Sequence, residues 1–127
     1  MSLRIDRSLA GSLASRAEGR VIVVDAFRSW QCGTWVGDLR ARWRPSAPGD
    51  RFVTAPPAEG VPVYVRADLA HLLDKGGASL HGSGVIRRNG LRVELDRPEL
   101  WISWLDHPGA WAARPTGEAG AEPLPEP

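Results

Sequence analysis

The sequence predicts a single α+β domain that is mostly β, with a helix near its N-terminus and a short helix near its middle. A continuous apolar, β-branched run at Val21 to Val24 is typical of a buried strand. From Trp35 to Arg44 a mainly apolar set of residues alternates with a mainly charged set, which is typical of a strand with one buried face. The dipeptide Asn89-Gly90, between two segments of strand composition, indicates a hairpin.

The length of the chain and its composition set the domain boundaries. With 127 residues there is room for one modest core and no second domain. The composition changes after Trp111 to mainly Ala, Gly, Pro and Glu, which cannot bury enough apolar surface to fold. We therefore predict one domain over residues 1–111 and a disordered tail over residues 112–127.

The predicted N-terminal helix depends on the spacing of four apolar residues. Asp6 is suited to the N-cap and Gly19 to the C-terminal stop. An apolar stripe that begins next to Asp6 recurs every four residues and comprises Ile5, Leu9, Leu13 and Ala17. The pattern predicts one continuous helix from Asp6, weakened slightly by Gly11.

The remaining elements follow from alternation and from turn residues. Residues 20–27 are expected to form a buried strand, residues 28–34 a loop that carries Cys32, and residues 35–44 a strand whose polar face is basic at Arg40, Arg42 and Arg44. The other predicted elements are strands over 52–55 and 61–65, a helix over 68–74, extended segments over 78–81, 85–88 and 91–95, and the hairpin turn at Asn89-Gly90. Residues 99–111 are either a short helix or an extended strip over the sheet.

Composition excludes several classes of function. The net charge of +1 provides no global attraction for a polyanion, so nucleic acid is not the expected partner. The longest apolar run, Val21 to Val24, is far shorter than a membrane span. Cys32 is the only cysteine, which excludes an intramolecular disulfide. Because no leader pattern opens the sequence, we expect a cytoplasmic location and no membrane partner.

Three segments carry a family resemblance: Ile5-Asp6 at the start of the first helix, Arg28-Ser-Trp-Gln-Cys-Gly-Thr-Trp35 after the first long strand, and Gly60-Val-Pro-Val-Tyr-Val65 leading into Leu69 to Leu73. With the order of the elements, they make residues 3–98 resemble the HesB-like domain of A-type iron–sulfur cluster carriers. Arg28 lies four residues before Cys32, as an arginine commonly does before the first cysteine of that family. The resemblance implies a compact mixed β-sheet sandwich.

The departures from the family concern its cysteines. The carriers have their first cysteine in Ser-Gly-Cys-Ser-Gly, whereas this chain has Trp30-Gln-Cys-Gly-Thr34. The carriers' C-terminal Cys-Gly-Cys corresponds to about Trp104 to Asp106, which contains no sulfur. The resemblance therefore implies a non-enzymatic accessory or binding protein in iron–sulfur or sulfur/selenium metabolism that lacks the three-cysteine site. The cofactor it implies is an iron–sulfur cluster or a single metal shared between the two chains of a homodimer.

Cys32 has three interpretations. It is a thiolate that binds metal, with the nearby Arg28 favouring the charged form, or a small buried residue with a structural role. As a third interpretation it is the nucleophile of a thiol-dependent enzyme, although the sequence shows no dedicated base. His81, beside a Gly-Ser-Gly segment, and His107, after Asp106, are the further metal-ligand candidates.

The tryptophans lead to a different function class. The chain contains six, and large aromatic residues that are exposed together are typical of partner-binding surfaces. The candidate binding residues are Arg28, Trp30, Trp35, Trp101 and Trp104. For Trp35 core packing is the favoured interpretation, and for the C-terminal tryptophans the alternative is that their segment caps the core. The alternative function is thus a protein-interaction module that uses residues 99–111, with Cys32 structural.

Overall fold

The computed structural model describes residues 3–83, 90–105 and 122–123, without the side chains of residues 30, 31, 34, 35, 83 and 122. The described elements in chain order are β1 (Leu3–Ile5), α1 (Leu13–Ala17), β2 (Val21–Gln31), β3 (Thr34–Arg44), β4 (Phe52–Ala58), β5 (Val61–Arg66), α2 (Ala67–Gly76), β6 (Ala78–Ser83), β7 (Gly90–Leu95), α3 (Pro98–Leu105) and β8 (Glu122–Pro123). The predicted α+β, mostly β class is confirmed.

The strands form two sheets. The smaller sheet has the order β1-β6-β7, and the larger has the order β3-β2-β5-β4, with β8 pairing to β2. β1 runs parallel to β6, and β2 runs parallel to β5, while the other pairs are antiparallel. Each sheet therefore mixes parallel and antiparallel pairs.

The core explains why the run at the start of β2 is continuously apolar. Ile22, Val23 and Val24 are each at most 2% exposed, so both faces of β2 are covered there. Burying each such side chain contributes about 1.5–3 kcal/mol. Other side chains that are less than 2% exposed come from several elements of both sheets and the first two helices: Leu9, Leu13, Val63, Val65, Leu69 and Leu80.

The N-terminal helix is shorter than predicted. The chain begins as a strand that pairs with β6, and the carbonyl oxygen of Asp6 then accepts hydrogen bonds from the Leu9 and Ala10 amides, both at 2.9 Å. Gly11 follows with φ +79°, a left-handed conformation that an α-helix does not accommodate. The predicted helix start at Asp6 is therefore wrong, because a turn precedes α1. The apolar stripe still buries Leu9, Leu13 and Ala17.

The predicted loop over residues 28–34 is also wrong, because β2 and β3 form one long hairpin. They pair continuously from Val21 with Arg44 to Gln31 with Thr34. The two linking residues, Cys32 and Gly33, have φ of 50° and 78°, the sign that a two-residue hairpin turn of the primed type requires. The predicted strand over 35–44 is confirmed, but the alternation in burial is incomplete. Ala41 is buried and Asp38 and Arg44 are exposed, whereas residues of both predicted faces are half-buried: Leu39, Arg40, Arg42 and Trp43.

In the second half of the chain, α2 ends as the glycines predict. The Gly77 amide donates a hydrogen bond of 2.9 Å to the Leu73 carbonyl. The predicted strand over 91–95 is present as β7, but it pairs with β6 in the register Ala78 with Leu95. The segment that we expected as its partner, residues 85–88, and the turn residue Asn89 lie outside the described residues.

The C-terminal segment is helical where it is described. α3 covers Pro98–Leu105, so the helix rather than the extended strip is correct there, while Trp111 lies outside the described residues. In the predicted tail, Glu122 and Pro123 form β8 against Arg28 and Phe27, and the rest of that prediction falls outside the described part. None of the described helices is long and apolar enough to cross a membrane.

Candidate functional site

Cys32 lies at the tip of the β2–β3 hairpin and is exposed. The interpretation in which it is a buried structural residue is therefore wrong. A cysteine with φ 50° is uncommon, since this region favours glycine and asparagine. The hairpin thus presents the thiol to solvent from a turn whose geometry is fixed by the pairing on both sides.

Arg28 is separated from that thiol. It lies within β2, four residues before Cys32, and an extended strand of that length spans about 13 Å. Arg28 is also only 6% exposed, and its strand partner is Gly37 rather than a residue of the turn. The close sequence spacing of the two residues therefore does not place them side by side.

Trp30 and Trp35 are cross-strand partners next to the turn. Their side chains lie outside the described part of the structure. The hairpin register nevertheless brings both backbones next to Cys32, so the two predicted binding residues and the cysteine share one end of the hairpin.

His81 is held by three neighbours on the smaller sheet and the N-terminal turn. Its Nε2 lies 2.8 Å from Ser79 Oγ and 3.2 Å from a Glu94 carboxylate oxygen, and its Nδ1 lies 3.4 Å from Asp6 Oδ2. Hydrogen bonds from the Ser8 amide and hydroxyl lower the pKa of Asp6. Both ring nitrogens of His81 therefore face groups of the protein itself.

The predicted metal candidates do not come together. Cys32 is at the end of the larger sheet, His81 belongs to the smaller sheet, and His107 lies outside the described residues. Within ranges 3–83, 90–105 and 122–123, no group of three or more His, Cys, Asp or Glu residues is arranged to hold a metal ion. A metal at Cys32 would therefore need ligands beyond these ranges or from a second chain.

A buried charge cluster, defined by Asp25, Arg66 and Asp68, was not predicted from the sequence. Arg66 is 4% exposed, and its Nε lies 2.8 Å from Asp68 Oδ1 without the alignment of a hydrogen bond. Its Nη2 donates a hydrogen bond of 2.9 Å to Asp68 Oδ2, and its Nη1 lies 3.6 Å from Asp25 Oδ1. Charged residues inside the apolar runs at 21–27 and 61–66 were the available signal.

Trp101 and Trp104 pack on the core rather than forming an exposed surface. Their rings stack with centroids 5.3 Å apart and an angle of 12°, and both are half-buried. The Arg66 guanidinium lies 5.7 Å from the centre of the Trp104 ring. Ile102, on the other side of α3, is 67% exposed and is the apolar residue that the helix presents to solvent.

The described residues present an exposed thiol at Cys32 with no described acid or base beside it. The core on which α3 packs has no described catalytic group. Such a thiol can bind a soft metal or a sulfur species. No protein-family model, curated protein or solved structure matches this chain.

Proposed function

We propose that the chain is a non-enzymatic, HesB-like accessory or binding protein in iron–sulfur or sulfur/selenium metabolism that uses Cys32. The order of the elements after α1 supports this proposal: a long strand, the cysteine, a second strand and, further on, a strand that leads into a short helix follow one another as the resemblance implies. The resemblance does not include β1, and it implies a loop where the structure has a two-residue turn. The observation that carries the proposal is the exposed cysteine at the tip of a long, fully paired hairpin.

The single cysteine determines how a metal or cluster would be held. A cluster is held by several thiolates, and each chain contributes one. Two hairpin tips that face each other would supply two thiolates, with other donors completing the site. The proposed binding form is therefore a homodimer in which the ligand is shared.

Anaerobic reconstitution with iron and sulfide tests the proposal. The wild-type protein, Cys32→Ser and Cys32→Asn are compared by visible absorption, metal analysis and size-exclusion chromatography. Both variants remove the thiol, while asparagine tolerates the left-handed turn better than serine. A coloured dimer formed only by the wild-type chain is expected, whereas colourless, metal-free monomers of all three proteins would contradict the proposal.

A protein-interaction module at α3 is the second candidate, and the exposed Ile102 favours it. A Trp104 substitution is unsuitable as a test of partner binding, because the Trp104 ring packs against Arg66 and its loss would also disturb the fold. Ile102→Ser changes the exposed surface of α3 without touching the core. If α3 binds a partner, this variant loses the partner in a pull-down while Cys32→Ser retains it. Equal retention by both would refute the α3 surface.

A further inference from the structure

The two sheets meet along a seam between β3 and β7. Each of these strands is an edge strand of its sheet. Their described residues lie against each other but form no backbone ladder between the two strands. Two adjoining cavities of about 410 and 370 Å³ run along the seam and share Asp38 and Leu39. Together they form one cleft, lined by residues 38–42 of β3 and 91–95 of β7 and, at one end, by Pro98 and Trp101.

The cleft has the dimensions of a short extended peptide. Five strand residues line each side, and five residues in a strand span about 17 Å. Cα atoms of β3 and β7 approach within 8 Å, which is narrower than the about 9.6 Å needed to insert a strand between them. A bound segment would therefore lie along the seam, with its side chains in the cleft.

One end of the cleft is basic. Arg40, Arg42 and Arg92 line it, and Asp38 is the acidic residue among the described lining residues of this end. Arg40 pairs with Asp38 at 2.6 Å, and Arg92 pairs with Glu94 at 3.0 Å. Both pairs are exposed, so each contributes little and can be exchanged for a carboxylate of a ligand.

At the basic end of the cleft, the Arg42 guanidinium lacks a complete set of hydrogen-bond partners. Its Nε is buried and has no hydrogen-bond partner, while its guanidinium lies 4.5 Å from the centre of the Phe27 ring. Burial lowers the pKa of Arg42, and the neighbouring Arg44 and Arg40 lower it further, with Asp25 opposing them. A carboxylate bound beside the Arg42 guanidinium would relieve the repulsion among the arginines, while the buried Nε itself lies out of its reach.

The other end of the cleft is mainly apolar. Val93, Leu95, Pro98 and the half-buried Trp101 line it, with Glu94 and Asp38 at its sides. A continuous polyanion would have to place charge against this apolar lining, which is unfavourable. Polarity thus changes along the cleft from basic to apolar and acidic within the length of one short peptide.

We propose that this cleft binds an extended segment of a partner protein, with acidic residues over Arg40, Arg42 and Arg92 and apolar residues against Leu95, Pro98 and Trp101. The change from a basic to an apolar lining favours a peptide over single-stranded nucleic acid, because a peptide can place acidic residues at one end and apolar residues at the other, whereas every nucleotide carries a phosphate. The aromatic ring at the basic end, Phe27, is also only 5% exposed and offers no face for base stacking. The cleft is independent of Cys32, so its binding does not require the function proposed above.

Amide chemical shifts of the labelled full-length protein test the proposal. The probes are two capped hexapeptides, Glu-Asp-Glu-Leu-Trp-Leu and its reverse, since the direction of the segment is open, and a control in which lysines replace the acids. One acidic peptide should shift resonances of residues 38–42 and 91–101, and the lysine control should not. No shift with either acidic peptide overturns the proposal.

Three variants separate the cleft from general charge. Arg42→Gln and Arg92→Gln should each lower the affinity for the acidic peptide about tenfold, which is the loss expected for one charge-assisted hydrogen bond. Arg44→Gln is the matched control for Arg92→Gln, because Arg44 does not line the cleft, although it shares another cavity with Arg42. Arg92 does not pack on Phe27, so its variant remains informative if Arg42→Gln unfolds.

Two outcomes refute the peptide assignment even if binding is seen. Equal weakening by Arg44→Gln and Arg92→Gln would show non-specific attraction to the basic face. Tighter binding of an oligothymidine probe, with shifts at the same residues, would assign the cleft to nucleic acid. Cys32→Ser should bind the peptide as the wild type does, so failure of the thiol proposal and failure of this one remain distinguishable.

Discussion

Replacement of Arg66 by alanine should destabilise the protein strongly, because Arg66 compensates two carboxylates that the fold removes from water. The Arg66 and Asp25 side chains are 5% and 8% exposed, and the Asp68 side chain is 17% exposed. Breaking a buried ion pair from one side costs about 3–5 kcal/mol. Asp25 keeps a 2.7 Å hydrogen bond from the Ala26 amide, so we expect the lower end of that range.

The assay is urea unfolding followed by tryptophan fluorescence. With a slope of about 2 kcal/mol per molar, a loss of about 3 kcal/mol lowers the midpoint by about 1.5 M. Arg66→Met retains much of the side-chain volume that packs against the Trp104 ring. This variant therefore separates the loss of charge from the loss of volume.

Arg4→Ala is the matched control, since Arg4 and Asp96 form an ion pair whose side chains are 59% and 41% exposed. An exposed pair of this kind contributes about 1 kcal/mol or less. If Arg66→Ala lowers the free energy of unfolding by no more than Arg4→Ala does, Asp25 and Asp68 lose their partner without penalty. The reasoning about the charge cluster would then be wrong.

Three further predictions concern the core, the turn and the response to acid. Leu9→Ala removes a fully buried side chain and should cost about 2–5 kcal/mol, measured by thermal unfolding, while a change below about 1 kcal/mol would remove Leu9 from the core. Gly33→Ala meets no atom within 4 Å but has φ +78°, so it should cost about 1 kcal/mol from backbone strain alone, which an unchanged midpoint would contradict. Hydrogen bonds from Arg4 lower the pKa of Asp96, so the stabilisation is present at neutral pH and is lost as pH falls through that lowered pKa. Asp96→Asn should therefore be less stable at neutral pH and show a shallower decline in acid, and identical pH profiles would refute this.

The sequence correctly predicted those elements whose local residue pattern is compatible with only one type of secondary structure. The alternation from residue 35 to residue 44 and the apolar run at Val21 to Val24 both correspond to strands, and the paired glycines after residue 75 end α2. Spacing of apolar residues was less decisive at the N-terminus, because a turn followed by a short helix buries the same side chains as one long helix. The conformation of Gly11 decides between them, and composition alone does not reveal it.

The site was harder to predict because it depends on contacts between distant segments. The polar residues around Cys32 favoured a loop, whereas cross-strand pairing continues to Gln31 and leaves only a two-residue turn. Asp25 and Arg66 come from different strands, and their pairing depends on the parallel register of β2 and β5, which no local motif encodes. The cleft between β3 and β7 likewise exists only after both sheets have formed.

The parallel pairing of β1 with β6 has a consequence for the order in which the protein can form during synthesis. Leu3 is synthesised before its partner Ala78, and two hairpins and α2 lie between them in the sequence. Closing such a long loop is slow and unfavourable until most of the chain is present. β1 therefore remains unpaired until late, and a change that disrupts β1 would interfere with a late step of assembly rather than with the formation of the β2–β3 hairpin.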